Sequence, residues 1–325
     1  MTASLVTGGC GFLGRHLVAA LLARGERVRV LDTAGSASLP PGVDAVIGSV
    51  TDASAVAQAL DGMDRLYHLA GIPHLWLRDK SGFDQVNRVG TEIVLEQTAR
   101  RNLDRIVHCS TEAVLIPWPA KGPRMVDENT RTGLDDMAGP YCRSKFLAER
   151  AALEAARGGL PVVVVNPTAL VGPGDPNGTP PTRMLRMLAA GAMPLHLPCR
   201  LNLVDARDAA LGHILAAERG RIGERYILGG ETVAMADLID RVASLTGYSG
   251  RSRAIPGRFA LAAAHAAHPL RLLYIQPDLH NPLGPSMPEA RRREIAALCR
   301  SLDILVVEDS VYGFLADDIL PPLAA

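Results

Sequence analysis

At 325 residues the chain is long enough for a large buried core and for more than one lobe. Lys+Arg and Asp+Glu both number 34, which removes the electrostatic case for nucleic acid or an anionic membrane as partner. A hydrophobic content of 48% with few aromatics excludes a disordered chain, and five scattered cysteines without a C-x-x-C pair exclude a disulfide frame and a zinc site.

The chain opens on a short apolar run, Ala3-Ser4-Leu5-Val6, that reads as a strand. It passes through Thr7-Gly8-Gly9-Cys10-Gly11-Phe12-Leu13-Gly14 into a helical pattern over Arg15 to Arg24. Strand, glycine turn and helix is the context a dinucleotide fingerprint requires, because glycine lets the backbone approach a pyrophosphate and the helix aims its free N–H groups at the phosphates. The next strand, Val28 to Leu31, ends in Asp32, where an acid meets the adenosine ribose hydroxyls. With no arginine at Thr33 or Ala34 to take a 2′-phosphate, NAD is expected ahead of NADP.

Further strands are expected at Ala45 to Ile47, Arg65 to Leu69 and Ile106 to Cys109, with helices at Ala53 to Leu60 and about Phe83 to Arg101 between them. Alternation of this kind predicts a Rossmann-type, doubly wound parallel sheet whose ligands sit at the carboxyl ends of the strands. A helix over Gly139 to about Arg157 follows, then the strand Val162 to Val165 ending in Asn166-Pro167. Beyond it the elements are shorter and mixed, including a strand at Arg225 to Leu228. They predict a smaller α/β lobe for substrate, which gives a dinucleotide-binding domain over 1–166 and a substrate lobe over 167–268. The early first strand leaves no room for a signal peptide, and the apolar stretch Phe259 to Ile275 is broken by His265, His268, Pro269 and Arg271. The expectation is a cytoplasmic protein without a membrane partner.

Tyr141 and Lys145 stand four positions apart on one face of the predicted helix. A tyrosine with an ordinary pKa near 10 needs a neighbouring cation to work as a base at neutral pH, and a lysine one turn away supplies it. Thr111, with Ser110 beside it at the end of a strand, is placed to hydrogen-bond a reacting oxygen. His74, His196 and His213 lack metal-ligand spacing and read as packing or surface residues, while Arg291-Arg292-Arg293 reads as a solvated helix face.

These stretches resemble the extended short-chain dehydrogenase/reductases, the NAD-dependent epimerase/dehydratase group, over about Thr2 to Arg258. The glycine turn matches the family's cofactor loop, His68-Leu69-Ala70-Gly71 its adenine-side strand end, and Asn87 to Thr91 its central helix. Ser110 to Val114 matches the catalytic strand end and Tyr141 to Lys145 the catalytic helix. The resemblance implies catalytic roles for Thr111, Tyr141 and Lys145, and cofactor contacts from Gly8, Gly11, Phe12, Leu13, Gly14, Asp32, Leu69, Ala70, Gly71, Asn87, Ser110, Tyr141, Lys145, Asn166 and Pro167. It also implies a homodimer through the helices of Asn87 and Tyr141. Within the group the likeness is to dihydroflavonol-reductase-like proteins, 3β-hydroxysteroid dehydrogenases and hopanoid-associated sugar epimerases, carried by Asn166 to Pro173 and Gly220 to Gly230. Gly48-Ser49 departs from the family's usual Gly-Asp, with Asp52 nearby as a substitute. The family's sugar 4,6-dehydratases carry Asp-Glu after the threonine, whereas this chain has Glu112-Ala113, which implies chemistry without loss of water.

The pattern changes near Pro269. Gln276-Pro277, His280 to Gly284 and Val306 to Gly313 resemble the cofactor domain of fold-type I aminotransferases, in which the matches to Asn281, Asp309 and Tyr312 contact pyridoxal phosphate. The segment 269–325 is expected as a strand–helix–strand fragment that ends before any Schiff-base lysine, so no pyridoxal phosphate is expected. Taken together, these features predict an NAD(P)-dependent epimerase or reductase acting on a small-molecule substrate, either a nucleotide sugar or a small or polycyclic ketone. The alternative is a chimeric NAD-binding module without catalysis.

Overall fold

A computed structural model describes residues 1–35, 39–118, 125–247, 252–257, 272–275, 288–301 and 305–308. Strands β1 (Ala3–Thr7), β2 (Arg27–Asp32), β3 (Asp44–Ile47), β4 (Arg65–His68), β5 (Arg105–Cys109), β6 (Val162–Pro167) and β10 (Arg225–Leu228) form one seven-stranded sheet. Its order is β10-β6-β5-β4-β1-β2-β3 and every pairing is parallel. Side chains alternate across a strand, so each central strand serves two cores. Val163 and Val165 of β6 join Val6 and Val107 beneath α1 (Phe12–Ala23) and α7 (Ala206–Arg219). Val162 and Val164 face the opposite way, with Leu5, Leu66 and Ile106. There they meet α2 (Ala53–Leu60), α4 (Gly90–Ala99) and α5 (Gly139–Arg157).

The crossover from β4 to β5 is one continuous helical path in three pieces. A turn α3 (Ser81–Phe83) runs into a π-helical stretch, Asp84–Val89, and then α4. Asn87 lies within the π-helical stretch, where the wider turn changes the angle at which a side chain leaves the helix. α5 begins at Gly139-Pro140, with proline in its first turn where no N–H partner is needed, and ends before Gly158.

After β6 the chain leaves the sheet. β7 (Ala169–Val171), β9 (Arg200–Asp205) and β11 (Glu231–Ala234) make a three-stranded sheet in the order β11-β9-β7. Its core includes Leu188 of α6 (Pro180–Ala189), Val233, and Met235 and Leu238 of α8 (Met235–Thr246). β10 and α7 lie within residues 167–268 by sequence, yet they belong to the layers of the large sheet. β10 pairs with β6, setting Ile227 opposite Asn166, and α7 shares the core of α1. An isolated four-residue strand carries no record of its partner, so its place is decided by that pairing.

Two compact units are distinguished, Met1–Pro194 with Pro198–Ser252, and Leu195–Leu197 with Arg253–Ala325. The second contains β8 (Leu195–His196) paired with β12 (Arg253–Ala254). It also contains β13 (Leu272–Ile275) paired in parallel with β14 (Leu305–Glu308), with the helix Glu289–Ser301 between them in sequence. This is the strand–helix–strand pattern expected of the tail. Asn281, Asp309 and Tyr312 lie outside the described residues, as do His265 and Pro269. Arg291 and Arg293 are exposed, as expected, but Arg292 is buried. Three consecutive helical residues span most of a turn, so a helix lying on a core turns one of them inward. No helix among the described residues is long and apolar enough to cross a membrane.

Candidate active site

The glycine turn is shaped by close approach. Gly8 has φ +72, and a Cβ there would meet Ala70 N at 2.8 Å, so the β1 turn and the β4 end touch backbone to backbone. A Cβ on Gly14 would collide with Gly8 O, which fixes how tightly α1 seats on the turn. No side chain caps α1, leaving its first N–H groups for an anion. Asp32 ends β2 and braces the same turn. Its Oδ2 accepts from Cys10 N and its Oδ1 from Ala34 N, both at 2.9 Å. Each oxygen keeps a lone pair for a ribose hydroxyl. The cradle therefore fits a dinucleotide.

Asp52, the substitute for the acid missing at Ser49, is engaged at the start of a helix. It is the N-cap of α2, and its Oδ1 accepts from Ser54 N at 2.9 Å and Ala55 N at 3.3 Å. An aspartate immediately before a helical apolar pattern is a capping signal, which accounts for it locally.

At the β4 end a buried chain of hydrogen bonds reaches Asn87. Thr7 Oγ1 is 2.7 Å from His68 Nδ1, His68 Nε2 is 2.9 Å from Thr91 Oγ1, and the Thr91 hydroxyl donates to Asn87 O at 2.6 Å. Because Thr91 uses its hydrogen on that carbonyl, His68 must donate from Nε2 and accept at Nδ1. Burial, aided by Lys145, pushes the His68 pKa down to about 3, so this neutral tautomer persists. The Asn87 carboxamide accepts from Ile72 N at 2.7 Å and donates to Ser144 Oγ at 3.0 Å, tying the loop after Gly71 to α5.

Tyr141, Lys145 and Ser144 stand on α5, while Ser110 and Thr111 follow β5. Lys145 Nζ donates to Cys109 O at 2.6 Å and so pins α5 to the β5 end. Tyr141 packs against the cluster of Val114, Leu115, Met137 and Cys142, with its ring edge-on to Phe83 at 6.2 Å. Burial pushes the phenol above the ordinary tyrosine range, and the Thr111 hydroxyl opposes that shift. The lysine ammonium lies on the Cys109 carbonyl. Burial also pushes Lys145 down and the Cys109 thiol up to about 11. Thr111 Oγ1 accepts from Ala113 N at 3.3 Å and donates its own hydrogen to Glu112 Oε2 at 3.4 Å, a long bond that a substrate oxygen can replace. Ser110 Oγ and Asn166 Oδ1 are buried polar atoms without a protein partner, which suits a site built for a polar ligand.

Sequence reasoning missed Glu149 and Arg225. The carboxylate of Glu149 is 3.2 Å from the Arg225 guanidinium and accepts from Asn166 Nδ2 at 2.7 Å. The four-residue step from Lys145 to Glu149 on one helix face was a visible signal. Arg225 had none, because it arrives with a strand whose pairing only the fold reveals.

A parallel seven-stranded sheet with a glycine turn at the switch of strand order defines a dinucleotide-dependent enzyme. The chain belongs to the NAD dependent epimerase/dehydratase family, whose pattern matches residues 4–229. It is an NAD(P)-dependent oxidoreductase of the epimerase/dehydratase type. Sterol demethylase protein B of Methylococcus capsulatus is 33% identical over 274 residues, covering 82% of this chain and 81% of that protein. The crystal structure of gox2253 is 32% identical with a TM-score of 0.75 and covers 82% of each chain. The UDP-glucose 4-epimerase of Thermus thermophilus, solved with NAD, shares the fold with a TM-score of 0.68 at 24% identity, covering 78% of this chain and 86% of that one. The family match ends before the segment from Arg271 to Ala325.

Proposed function

We propose that the chain oxidises or reduces a secondary alcohol/ketone pair on an apolar skeleton, with NAD(H) preferred over NADP(H). The observation that carries this reading is the bond from Lys145 Nζ to Cys109 O, which sets the tyrosine–lysine face of α5 against the strand end bearing Thr111. NAD(H), when bound, supplies or accepts the hydride. In the reducing direction the Tyr141 phenol gives its proton to the carbonyl oxygen, and Thr111 Oγ1 donates a hydrogen bond to the same atom. Lys145 contributes positive charge beside the phenol and a donor for the nicotinamide ribose. Gly8, Gly11, Phe12, Leu13 and Gly14 hold the pyrophosphate, and Asp32 holds the adenosine ribose. Leu69, Ala70, Gly71, Asn87, Ser110, Asn166 and Pro167 line the rest of the cofactor's path along the strand ends.

Two observations favour an apolar substrate over a nucleotide sugar. Leu75 and Trp76 follow β4 and Trp118 follows β5, and all three side chains are exposed on loops at the carboxyl ends of strands. The Methylococcus relative carries a sterol-processing name, which supports the same class. Ala113 offers no base for removing a neighbouring proton, so the reaction proceeds without loss of water.

Tyr141→Phe should lower turnover of an alkyl or sterol ketone by at least about a thousandfold while NADH affinity changes by less than about threefold. Calorimetry in the same series should show tighter binding of NADH than of NADPH. Turnover near wild type in Tyr141→Phe rejects the acid/base assignment, and tighter NADPH binding rejects the role given to Asp32.

A further inference from the structure

Four elements meet at one buried carboxamide. Asn166, on β6, is fully buried, and its Nδ2 donates twice, to Thr111 O at 3.0 Å and to Glu149 Oε2 at 2.7 Å. Both neighbours can only accept, so the orientation of the amide is forced. Glu149 lies on α5 and is nearly inaccessible to solvent, and its other oxygen is 3.2 Å from the Arg225 guanidinium on β10. The edge strand β10 is thereby linked to the end of β5 through three side chains, and the last link is the carbonyl of Thr111 itself.

Glu149 also shares its helix face with Tyr141 and Lys145, at successive steps of four. The groups whose fields reach Lys145 are few. His68 on β4 and His108 on β5 are held neutral by burial, with pKa values pushed down, and the Cys109 thiol stays protonated. That leaves Glu149, among the described residues whose fields reach Lys145, as the charged partner that favours the ammonium. Arg225 sets its guanidinium 3.2 Å from the Glu149 carboxylate, so the buried anion has a cation for a partner.

We propose that Glu149, held by Arg225, is a positioning residue for the reaction: through Asn166 it fixes the strand end that carries Thr111, and along its helix it balances the Lys145 ammonium. This rests on the assignment of Thr111, Tyr141 and Lys145 given above. No covalent step is added. The relay acts by holding one backbone carbonyl and one charge in place.

A merely structural carboxylate and a positioning one differ in the pH profile. The form competent for ketone reduction carries protons on both Tyr141 and Lys145. Glu112, Cys109 and Cys142, whose fields reach Tyr141, are untouched by a change at Glu149, so removing this anion weakens proton binding at Lys145 and the alkaline limb of the rate must move to lower pH. Glu149→Gln keeps the shape and an acceptor for Asn166 while deleting the charge. We expect it to bind NADH with near wild-type affinity by nicotinamide fluorescence, to lose about tenfold in kcat, and to shift the alkaline limb of ketone reduction down by about one pH unit. Glu149→Met should reproduce the shift and Glu149→Asp, which keeps the charge, should leave the limb in place, and this second pair carries the test should Glu149→Gln fail to fold. An alkaline limb that is unmoved or moved upward in folded Glu149→Gln or Glu149→Met overturns the proposal. Tyr141→Phe is run beside them: if it retains turnover, the active-site assignment fails, whereas a dead Tyr141→Phe with an unmoved Glu149→Gln profile rejects the relay alone.

Discussion

At the scale of single residues, buried polar groups set the behaviour of the site, and several are fixed by partners of complementary chemistry. His68 has a definite tautomer because Thr91 spends its hydrogen on Asn87 O, and Asn166 has a definite orientation because both of its neighbours are acceptors. Glu112 is different. Burial raises its carboxyl from an ordinary 4.5 to about 7, and its hydrogen bonds to backbone and to Thr111 only partly offset this. A group whose folded pKa is raised contributes stability that is fully present below its unfolded value and lost as pH rises through its folded value. The window here runs from about 4.5 to about 7. Glu112→Gln should therefore melt at nearly the wild-type temperature at pH 4. At pH 8 it should melt several degrees higher, for a gain on the order of 1–2 kcal/mol after allowance for the partly exposed position. Equal melting differences at both pH values would show that the carboxyl does not titrate in this range.

At the scale of elements, α5 does the most to organise the site. Its proline-led start and glycine end are local signals, and its face of Tyr141, Lys145 and Glu149 follows from a period of four. What the helix touches was not legible in that period. Lys145 reaches a carbonyl on β5, and Glu149 reaches across β6 to a guanidinium on β10. The π-helical turn around Asn87 was also invisible in an apolar pattern that reads as one long helix. The tail presents the opposite case, with a strand–helix–strand pattern that was easy to predict, while Asn281, Asp309 and Tyr312 lie outside the described residues. Every cofactor contact proposed here lies before Pro173. Deleting residues 270–325 should leave NADH affinity within about twofold of wild type. The full chain incubated with pyridoxal phosphate should develop no absorbance that borohydride abolishes, because a Schiff base requires a suitably placed lysine. A borohydride-sensitive yellow product would reverse that reading of the tail.

At the scale of the whole molecule, the homodimer expected through the helices of Asn87 and Tyr141 can be tested in solution. α4 and α5 lie side by side on one face of the sheet, with Glu92, Glu96, Arg143, Arg150 and Glu154 exposed between their buried rows. Paired copies would set such mixed charges against each other. Light scattering should return twice the 34.5 kDa chain mass at micromolar concentration, and a monomer mass would reject the pairing. By itself the sequence determined the class of fold, the glycine turn, Asp32 and the tyrosine–lysine face. These depend on short-range stereochemistry: glycine where backbones must approach, alternation across a strand, and four-residue steps along a helix. Only the tertiary structure decided that β10 closes the large sheet beside β6, and that Glu149, Asn166 and Arg225 converge behind Thr111. Those outcomes turn on pairing and burial between segments far apart in the chain, and a buried charge finds its partner only once the strands that carry the two are in register.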